Sequence, residues 1–164
     1  MKLCEIAKKV PDGSYVAVKY DDESRDKLYE FAEKMNLPNL LPKSKYHTTL
    51  IYSRKYNPDI KEDQSLYPLK IKGKELHVFD TQDNKRALVM KFDSPELVER
   101  HNFLMSEYQL QYDYDEYIPH ITLSYDIGDM DVDFSGKFPI MTVTEEYVED
   151  LIFDWQNKKE NKNE

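Results

Sequence analysis

The sequence has little of what several common functional classes need. Cys4 is the only cysteine among 164 residues, so no internal disulfide can form, as is typical of a protein from a reducing compartment. Only four residues are glycine, and neither a glycine-rich phosphate loop nor a glycine-flanked serine nucleophile is present. Hydrophobic runs fall well short of the ~18 residues that span a bilayer, and the N-terminus lacks the apolar stretch of a signal peptide. We therefore expect a soluble, cytoplasmic protein with no membrane partner.

Basic residues are also scarce relative to acidic ones. The chain has 23 Lys and Arg against 32 Asp and Glu, which gives a net charge of −9. Long nucleic acids are held mainly through phosphate contacts with many Lys and Arg, so this balance argues against DNA or RNA as a partner. A small phosphate diester needs less positive charge, and one short region does carry a cluster of basic residues, namely Lys43, Lys45, Arg54 and Lys55.

The length of the chain suits one compact domain, since domains commonly contain ~100 to 200 residues. No linker rich in Gly, Ser or Pro divides the sequence. We expect a single domain with an internal duplication over residues 1–156, followed by a polar C-terminal tail at 157–164.

One short phrase occurs twice in the chain. YHTTLIY at 46–52 and PHITLSY at 119–125 both contain His, any residue, Thr, an apolar residue, any residue and an aromatic residue. Side chains alternate between the two faces of a β-strand, so His47 projects to the same side as Thr49, and His120 to the same side as Thr122. Two such strands could face each other across one cleft.

The surroundings of the two phrases repeat as well. VAVKYD at 16–21 resembles LVMKFD at 88–93, at an offset of about 72 residues that also nearly relates the two histidines. A helical pattern follows each of these segments, the first starting near 21–24 and the second after Ser94, whose hydroxyl can cap a helix. The order strand, helix, His-x-Thr strand predicts an α+β fold with two pseudo-symmetric lobes, each with an antiparallel sheet and a helix, around a cleft.

Two facing histidines suit acid–base catalysis near neutral pH, because free imidazole titrates near ~6.5. In cleavage of a ribose phosphodiester, a neutral His would take the proton from the attacking oxygen and a protonated His would give one to the leaving oxygen. The neighbouring Thr hydroxyls would donate hydrogen bonds to the non-bridging phosphate oxygens. Sequence does not say which His is the base, because a pseudo-symmetric site allows both assignments.

Metal binding is the alternative use of paired histidines. Zinc commonly takes three or four N, S or carboxylate ligands, and neither phrase has a second ligand at the required spacing on the same face. We therefore expect catalysis without a metal or another cofactor, by His47, Thr49, His120 and Thr122.

The duplicated phrase resembles the 2H phosphoesterase superfamily over roughly residues 14–126. That resemblance implies a bilobal fold, metal-free processing of nucleotide phosphodiesters, and catalytic roles for the two His and two Thr. More narrowly, the chain length, an N-terminal Tyr-bearing strand, and Glu and Trp near the end are similar to the bacteriophage anti-CBASS nuclease family. Enzymes of that family destroy the cyclic di- and trinucleotide signals of a bacterial immune system. The substrate-binding residues that this resemblance implies are Tyr15, Glu149 and Trp155.

These three residues also have a physical interpretation. An aromatic ring that stacks on a base contributes ~1 to 3 kcal/mol, and a carboxylate can accept hydrogen bonds from a base edge. Trp155 is the only Trp and lies in an apolar segment, so ordinary core packing is the competing interpretation of that residue.

Three functions stay open. The preferred hypothesis is a phosphodiesterase that opens 3′–5′ bonds of cyclic di- or trinucleotides, such as 3′,3′-cyclic GMP-AMP, so that a phage evades host defence. The same four residues would serve a 2′-5′ oligoadenylate phosphodiesterase or an RNA-end 2′,3′-cyclic phosphodiesterase. The third hypothesis is a module that sequesters a nucleotide without cleaving it, although binding alone does not require two imidazoles.

The other two histidines have no Thr at the motif spacing. His77 lies in a predicted strand at 75–79 and His101 in the second predicted helix, and both are interpreted as structural or surface residues. The Tyr-rich stretch at 108–117 either borders the cleft or forms a solvated loop.

Overall fold

The computed structural model describes residues 10–114 and 116–153. Trp155 and the predicted tail at 157–164 lie outside these described residues. Within the described ranges, the elements in chain order are β1 (Gly13–Tyr20), α1 (Asp22–Glu33), a 3₁₀ turn (Lys43–Lys45), β2 (His47–Ser53), β3 (Leu69–Asp80), β4 (Arg86–Phe92), α2 (Pro95–Glu107), β5 (His120–Ser124) and β6 (Ile140–Leu151).

The strands form a six-stranded sheet in the order β2-β1-β6-β3-β4-β5, and every neighbouring pair is antiparallel. β3 and β6 join the two halves, because 69–72 pair with β6 whereas 73–80 pair with β4. We call β2, β1 and β6 lobe 1, and β5, β4 and β3 lobe 2. This arrangement confirms the predicted α+β fold with two antiparallel halves.

Alternation along the strands decides which side chains form the core. In β1, Val16, Val18 and Tyr20 are buried, whereas Tyr15 and Lys19 project from the opposite face. β4 is buried from Ala87 to Met90, as befits a strand with a neighbour on each side. One hydrophobic core therefore runs through both lobes.

Both helices begin where the sequence indicated, the first within 21–24 and the second after the capping residue Ser94. Asp21 Oδ1 accepts a hydrogen bond from the Ser24 amide at 2.8 Å, and Ser94 Oγ accepts one from the Leu97 amide at 3.3 Å. Pro95 opens α2, where its missing N–H costs nothing. No helix within 10–114 and 116–153 is long and apolar enough to cross a membrane.

The internal repeat extends to the hydrogen-bond register. Each motif strand has a bulge directly after its Thr, which leaves Leu50 of β2 and Leu123 of β5 without a cross-strand partner. The matching cross-strand pairs are Lys19 with His47 and Ala17 with Thr49 in lobe 1, and Lys91 with His120 and Val89 with Thr122 in lobe 2.

The connections after the helices cross between the lobes. The segment after α1 reaches β5, where the Leu41 amide donates to the Leu123 backbone oxygen at 3.1 Å. The segment after α2 reaches β2, where the Tyr117 hydroxyl donates to the Thr49 backbone oxygen at 2.6 Å, and α2 itself packs against β2. These crossings bring β2 and β5, the two edges of the sheet, into contact with each other.

Candidate active site

The two motif histidines are held in the same way. Nδ1 of His47 lies 2.8 Å from the Lys45 backbone oxygen, and Nδ1 of His120 lies 2.9 Å from that of Ile118. A carbonyl oxygen can only accept, so Nδ1 carries hydrogen in both rings. Nε2 is therefore the atom of each neutral imidazole that can take up a proton.

Thr49 is held by tyrosine side chains of lobe 1. The Tyr15 hydroxyl lies 2.9 Å from Thr49 Oγ1, and the Tyr15 ring meets the His47 ring edge-on at 6.4 Å between centroids. Tyr52 and Tyr147 pack on the same ring, at 6.2 and 6.4 Å. We call the sheet surface that carries the two motif His and Thr pairs the His–Thr face, and Tyr15 belongs to it.

A buried hydrogen-bond chain joins the lobes beneath His120. Thr48 Oγ1 donates to the His120 backbone oxygen at 2.9 Å, and the Tyr20 hydroxyl lies 2.6 Å from the same Thr48 oxygen. Because Thr48 uses its one hydrogen on His120, Tyr20 is the donor in the second bond. The side chain between the two motif residues of β2 thus fixes the backbone of the other motif strand.

The electrostatic surroundings of His120 favour its neutral form. Burial lowers the pKa of His120, and the positive charges of His47, Lys91 and His77 lower that pKa further. The hydrogen bond to the Ile118 oxygen opposes the shift but does not cancel it. A neutral imidazole at His120 is ready to accept a proton.

No group of three or more His, Cys, Asp and Glu side chains is placed to hold a metal ion in the part of the chain that the structure describes. Two Nε2 atoms and two Thr hydroxyls on neighbouring strands suit a phosphoryl group that needs proton transfer on either side.

Comparison with known proteins identifies the family. A family model described as “Anti-CBASS protein Acb1” matches residues 12–158. The Anti-CBASS protein Acb1 of Acinetobacter phage Ac42 is 38% identical over 158 residues, which cover 95% of this chain and 99% of the relative. The chain belongs to the Acb1 family. The relative from Enterobacteria phage T4 is 38% identical over 144 residues, which cover 87% of this chain and 91% of the relative.

Solved structures share the fold of this Acb1-family chain. Escherichia coli LigT complexed with 3′-AMP gives a TM-score of 0.60 at 15% identity, covering 85% of this chain and 87% of LigT. A structure described as a phosphoesterase gives a TM-score of 0.60 at 14% identity, and the match covers 89% of this chain and 91% of the phosphoesterase chain. This likeness confirms the fold of the 2H phosphoesterase type, which the two His-x-Thr phrases predicted.

The structure brings two of the three expected substrate-binding residues together. Tyr15 and Glu149 are cross-strand partners on β1 and β6, and Glu149 is exposed. Burial raises the pKa of Tyr15 well above its ordinary value, so its hydroxyl keeps its proton and can donate to Thr49. Trp155, the third residue, lies outside the described residues, and its role stays a prediction.

Sequence reasoning missed other residues on the His–Thr face. Tyr147 pairs with Ala17, and its pKa is raised to about 12, mainly by burial and secondarily by the charge of Glu149. His77 occupies the corresponding position in lobe 2, opposite Val89. His77 is an exposed residue, as predicted, but it lies on the candidate site. Period-2 alternation shows which residues share a face along β3 and along β6, but only the pairing of these strands with β4 and β1 assigns both residues to this face.

The basic cluster expected near the first phrase is partly neutralised. Lys43 forms an ion pair with Asp26 at 2.9 Å, and Arg54 forms one with Asp113 at 3.0 Å. These two side chains therefore contribute less positive field than the sequence suggested.

His101 has the structural role that was predicted for it. The residue is buried, its Nδ1 lies 2.6 Å from the Leu50 backbone oxygen, and its ring stacks on Tyr117 at 4.2 Å. Tyr117, from the Tyr-rich stretch, in turn donates to Thr49. This end of the stretch therefore supports the site instead of forming a solvated loop.

Proposed function

We propose that the protein is a metal-independent phosphodiesterase that opens 3′–5′ bonds of cyclic di- or trinucleotide second messengers. The observation that carries this proposal is the pair of histidines on touching strands, both with Nδ1 bonded to a backbone carbonyl and Nε2 left for proton transfer. Such a pair supplies one acid and one base without a metal.

The different surroundings of the two histidines suggest their roles. His120, whose pKa is lowered by burial and nearby positive charge, is the base that takes the proton from the ribose 2′-hydroxyl. The resulting oxygen attacks the adjacent phosphorus, and the bond from phosphorus to the 5′-oxygen breaks. His47, protonated, gives its proton to that leaving oxygen. The product is a linear nucleotide with a 2′,3′-cyclic phosphate, and exchange of the two roles allows a water molecule to open that phosphate.

Thr49 and Thr122 hold the non-bridging phosphate oxygens in this mechanism. The Tyr15 hydroxyl lies 2.9 Å from Thr49 Oγ1, and with Tyr15 as the donor in this bond the Thr49 hydrogen is left for the phosphate. Donors placed in advance where charge is rearranged lower the barrier without having to reorganise during the reaction.

The cyclic oligonucleotide substrate is supported by the family and by the binding residues. Relatives of 38% identity are named anti-CBASS proteins, and their near-complete coverage extends that role to this chain. Tyr15 contacts His47 and Thr49, and Glu149 is the cross-strand partner of Tyr15 on β6, so a ring that can stack on a base and a carboxylate that can bind its edge lie side by side. Trp155 completes this set by prediction. The protein would act in the cytoplasm of a host bacterium and help a phage evade CBASS defence.

The test is chromatography of 3′,3′-cyclic GMP-AMP after incubation with wild-type, His47→Ala and His120→Ala protein in excess EDTA. Wild type is expected to form linear product. Each Ala variant should cleave the substrate about 10²- to 10⁴-fold more slowly, because each loses one proton-transfer group. His77→Ala controls for loss of a histidine from the same face and is expected to cost less than about 10-fold. Circular dichroism checks that all variants fold.

Either of two results would contradict this mechanism. Near-normal turnover by one Ala variant would show that the pair is not the acid and base, and loss of wild-type activity in EDTA would show that a metal is needed. Parallel incubations with linear 2′-5′ and 3′-5′ oligonucleotides test the related enzymes that share the motif. Faster cleavage of those substrates would overturn the assignment to cyclic messengers.

A further inference from the structure

Each motif histidine has a lysine as its cross-strand partner. Lys19 of β1 pairs with His47, and Lys91 of β4 pairs with His120. Directly opposite residues of an antiparallel pair have Cβ atoms ~5 Å apart and share one face of the sheet. The repeat of VKYD and MKFD in the sequence therefore carries a lysine, as well as a histidine, to equivalent places in both lobes.

Both lysines are directed toward the His–Thr face. Lys19 Nζ lies 5.0 Å from the centre of the Tyr147 ring, and that ring packs on Tyr15, which contacts His47. The charge of Lys91 reaches His120, since it is one of the causes that lower the pKa of that imidazole. Lys19 is exposed and Lys91 is half-buried.

Neither lysine has a carboxylate partner within 4.0 Å in the part of the chain that the structure describes. Other basic residues, such as Lys43, Lys74 and Arg100, do form such ion pairs. The other cross-strand neighbours of Lys19 and Lys91 are Glu145 and Glu75, but neither carboxylate lies within 4.0 Å of the ammonium group. In a chain of net charge −9, two ammonium groups that form no ion pair and lie beside the two histidines are positioned to bind an anion at this face.

We propose that Lys19 and Lys91 bind the phosphates that flank the scissile phosphate of an oligonucleotide substrate, one lysine on each side of the histidine pair. This inference rests on the proposed function. In a cyclic dinucleotide both flanks lead to the same second phosphate, whereas a cyclic trinucleotide offers one phosphate to each lysine. Charge-assisted hydrogen bonds from ammonium to phosphate are stronger than neutral ones.

The split between kcat and KM distinguishes a flanking phosphate from the scissile one. A contact to a flanking phosphate is equally strong in the bound substrate and in the transition state, so its loss raises KM and leaves kcat unchanged. A contact to the scissile phosphate, where charge is rearranged, would lower kcat instead.

The experiment compares wild type with Lys19→Gln, Lys91→Gln and the double variant on cyclic tri-AMP, which offers a flanking phosphate to each lysine, with kcat taken at the pH optimum of each protein. Each single change is expected to raise KM by about 10-fold with kcat within about twofold, and the double variant is expected to show a weaker dependence of kcat/KM on salt. Lys19→Arg and Lys91→Arg keep the charge and should hold KM within about threefold of wild type.

Lys34→Gln is the matched control, because it removes the same charge from an exposed lysine at the end of α1 and should behave as wild type. Unchanged KM in the double variant, or a loss confined to kcat, would overturn the lysine proposal while wild-type cleavage still upheld the proposed function. A wild-type protein that leaves both the cyclic dinucleotide and the cyclic trinucleotide intact would overturn the proposed function and this inference together.

Discussion

Leu50 of lobe 1 and Leu123 of lobe 2 lie at equivalent bulges of β2 and β5, but their backbone oxygens accept hydrogen bonds from different donors. The oxygen of Leu50 is bonded to the side chain of His101, whereas that of Leu123 is bonded to the backbone amide of Leu41. The two lobes therefore present the same chemistry on the same register but fix their motif strands with unlike groups.

The layer beneath the motif strands differs in the same way. Lobe 1 has Tyr20 and Thr48, which form the buried chain to the His120 oxygen, and the corresponding residues of lobe 2 are Phe92 and Ile121. Ile121 has no hydroxyl, so it cannot return an equivalent bond to His47. A side chain of lobe 1 therefore fixes the backbone of the lobe 2 motif strand, whereas the residue at the equivalent position in lobe 2 makes no such hydrogen bond to lobe 1.

Two ion pairs of the described residues, one at β6 in lobe 1 and one in lobe 2, differ in how far they are buried. Glu146 on β6 is 0% exposed at its side chain and pairs with Arg100, 12% exposed, at 2.7 Å. The pair formed by Lys74 and Asp93 in lobe 2 is 58% and 76% exposed. The two lobes thus share the strand register that places the His and Thr side chains, but they differ in the hydrogen bonds and ion pairs that support the strands.

The largest difference in stability between the lobes is expected at these two ion pairs. Glu146→Gln leaves the Arg100 guanidinium without its buried carboxylate and should lower the free energy of unfolding by about 3 kcal/mol or more. The exposed pair should contribute less than about 1 kcal/mol, so Asp93→Asn serves as the matched control in lobe 2. Urea unfolding of both variants measures the difference, and equal losses would show that the lobes do not differ in this respect.

A smaller loss of unfolding free energy is expected when the hydrogen bond from Thr48 to the His120 backbone oxygen is removed. Thr48→Val keeps the side-chain shape but leaves the His120 oxygen and the Tyr20 hydroxyl without their partner, at a cost of about 1 to 3 kcal/mol in unfolding free energy. Turnover should also fall, because the backbone that carries His120 is less well held.

The variant Tyr20→Phe/Thr48→Ile gives lobe 1 the apolar pair of lobe 2 and completes this test. Tyr20→Phe and Thr48→Ile together remove both hydroxyls of the buried chain, so neither is left without its partner. The double variant should therefore lose less free energy of unfolding than the sum of the losses from the two single changes. Additive costs would mean that the two hydroxyls do not act as a chain.

The smallest predicted effect is the pH dependence of stability. Burial lowers the pKa of His101, as it does for His120, so each binds fewer protons in the folded than in the unfolded chain. Their contribution to stability is complete above the ordinary pKa of histidine, ~6.5, and is lost as the pH falls below it toward the folded pKa values. Unfolding free energies at pH 5 to 7 should therefore decrease on acidification.

Replacing each histidine separately shows how much of this pH dependence comes from His101 and how much from His120. His101→Asn leaves only the contribution of His120, and His120→Asn leaves only that of His101, so each slope should be shallower than that of wild type. Asp21, Asp63 and Asp126 also have lowered pKa values, through hydrogen bonds, but carboxylates titrate below this window. Stability that rises on acidification would contradict both assignments.

Much of the fold and the His–Thr pairs was predictable because the signals are local. The capping hydroxyl of Ser94 and the alternation around His47 and His120 depend on neighbours within a few residues, and the structure has the helix and the strands where these signals indicated. The presence of Lys19 and His77 on the same face followed from the same alternation, but a single strand does not show which other strand lies beside it.

The two His-x-Thr strands and their matching surroundings can be read from the sequence, since a repeat and a period of two are properties of the chain alone. The contact between β2 and β5, and the burial and nearby charges that lower the pKa of His120, come from the tertiary structure alone. Contact between sheet edges depends on crossings made by distant segments, and a pKa depends on burial and on charges brought near by those crossings. Neither quantity is encoded in the spacing of residues along one strand.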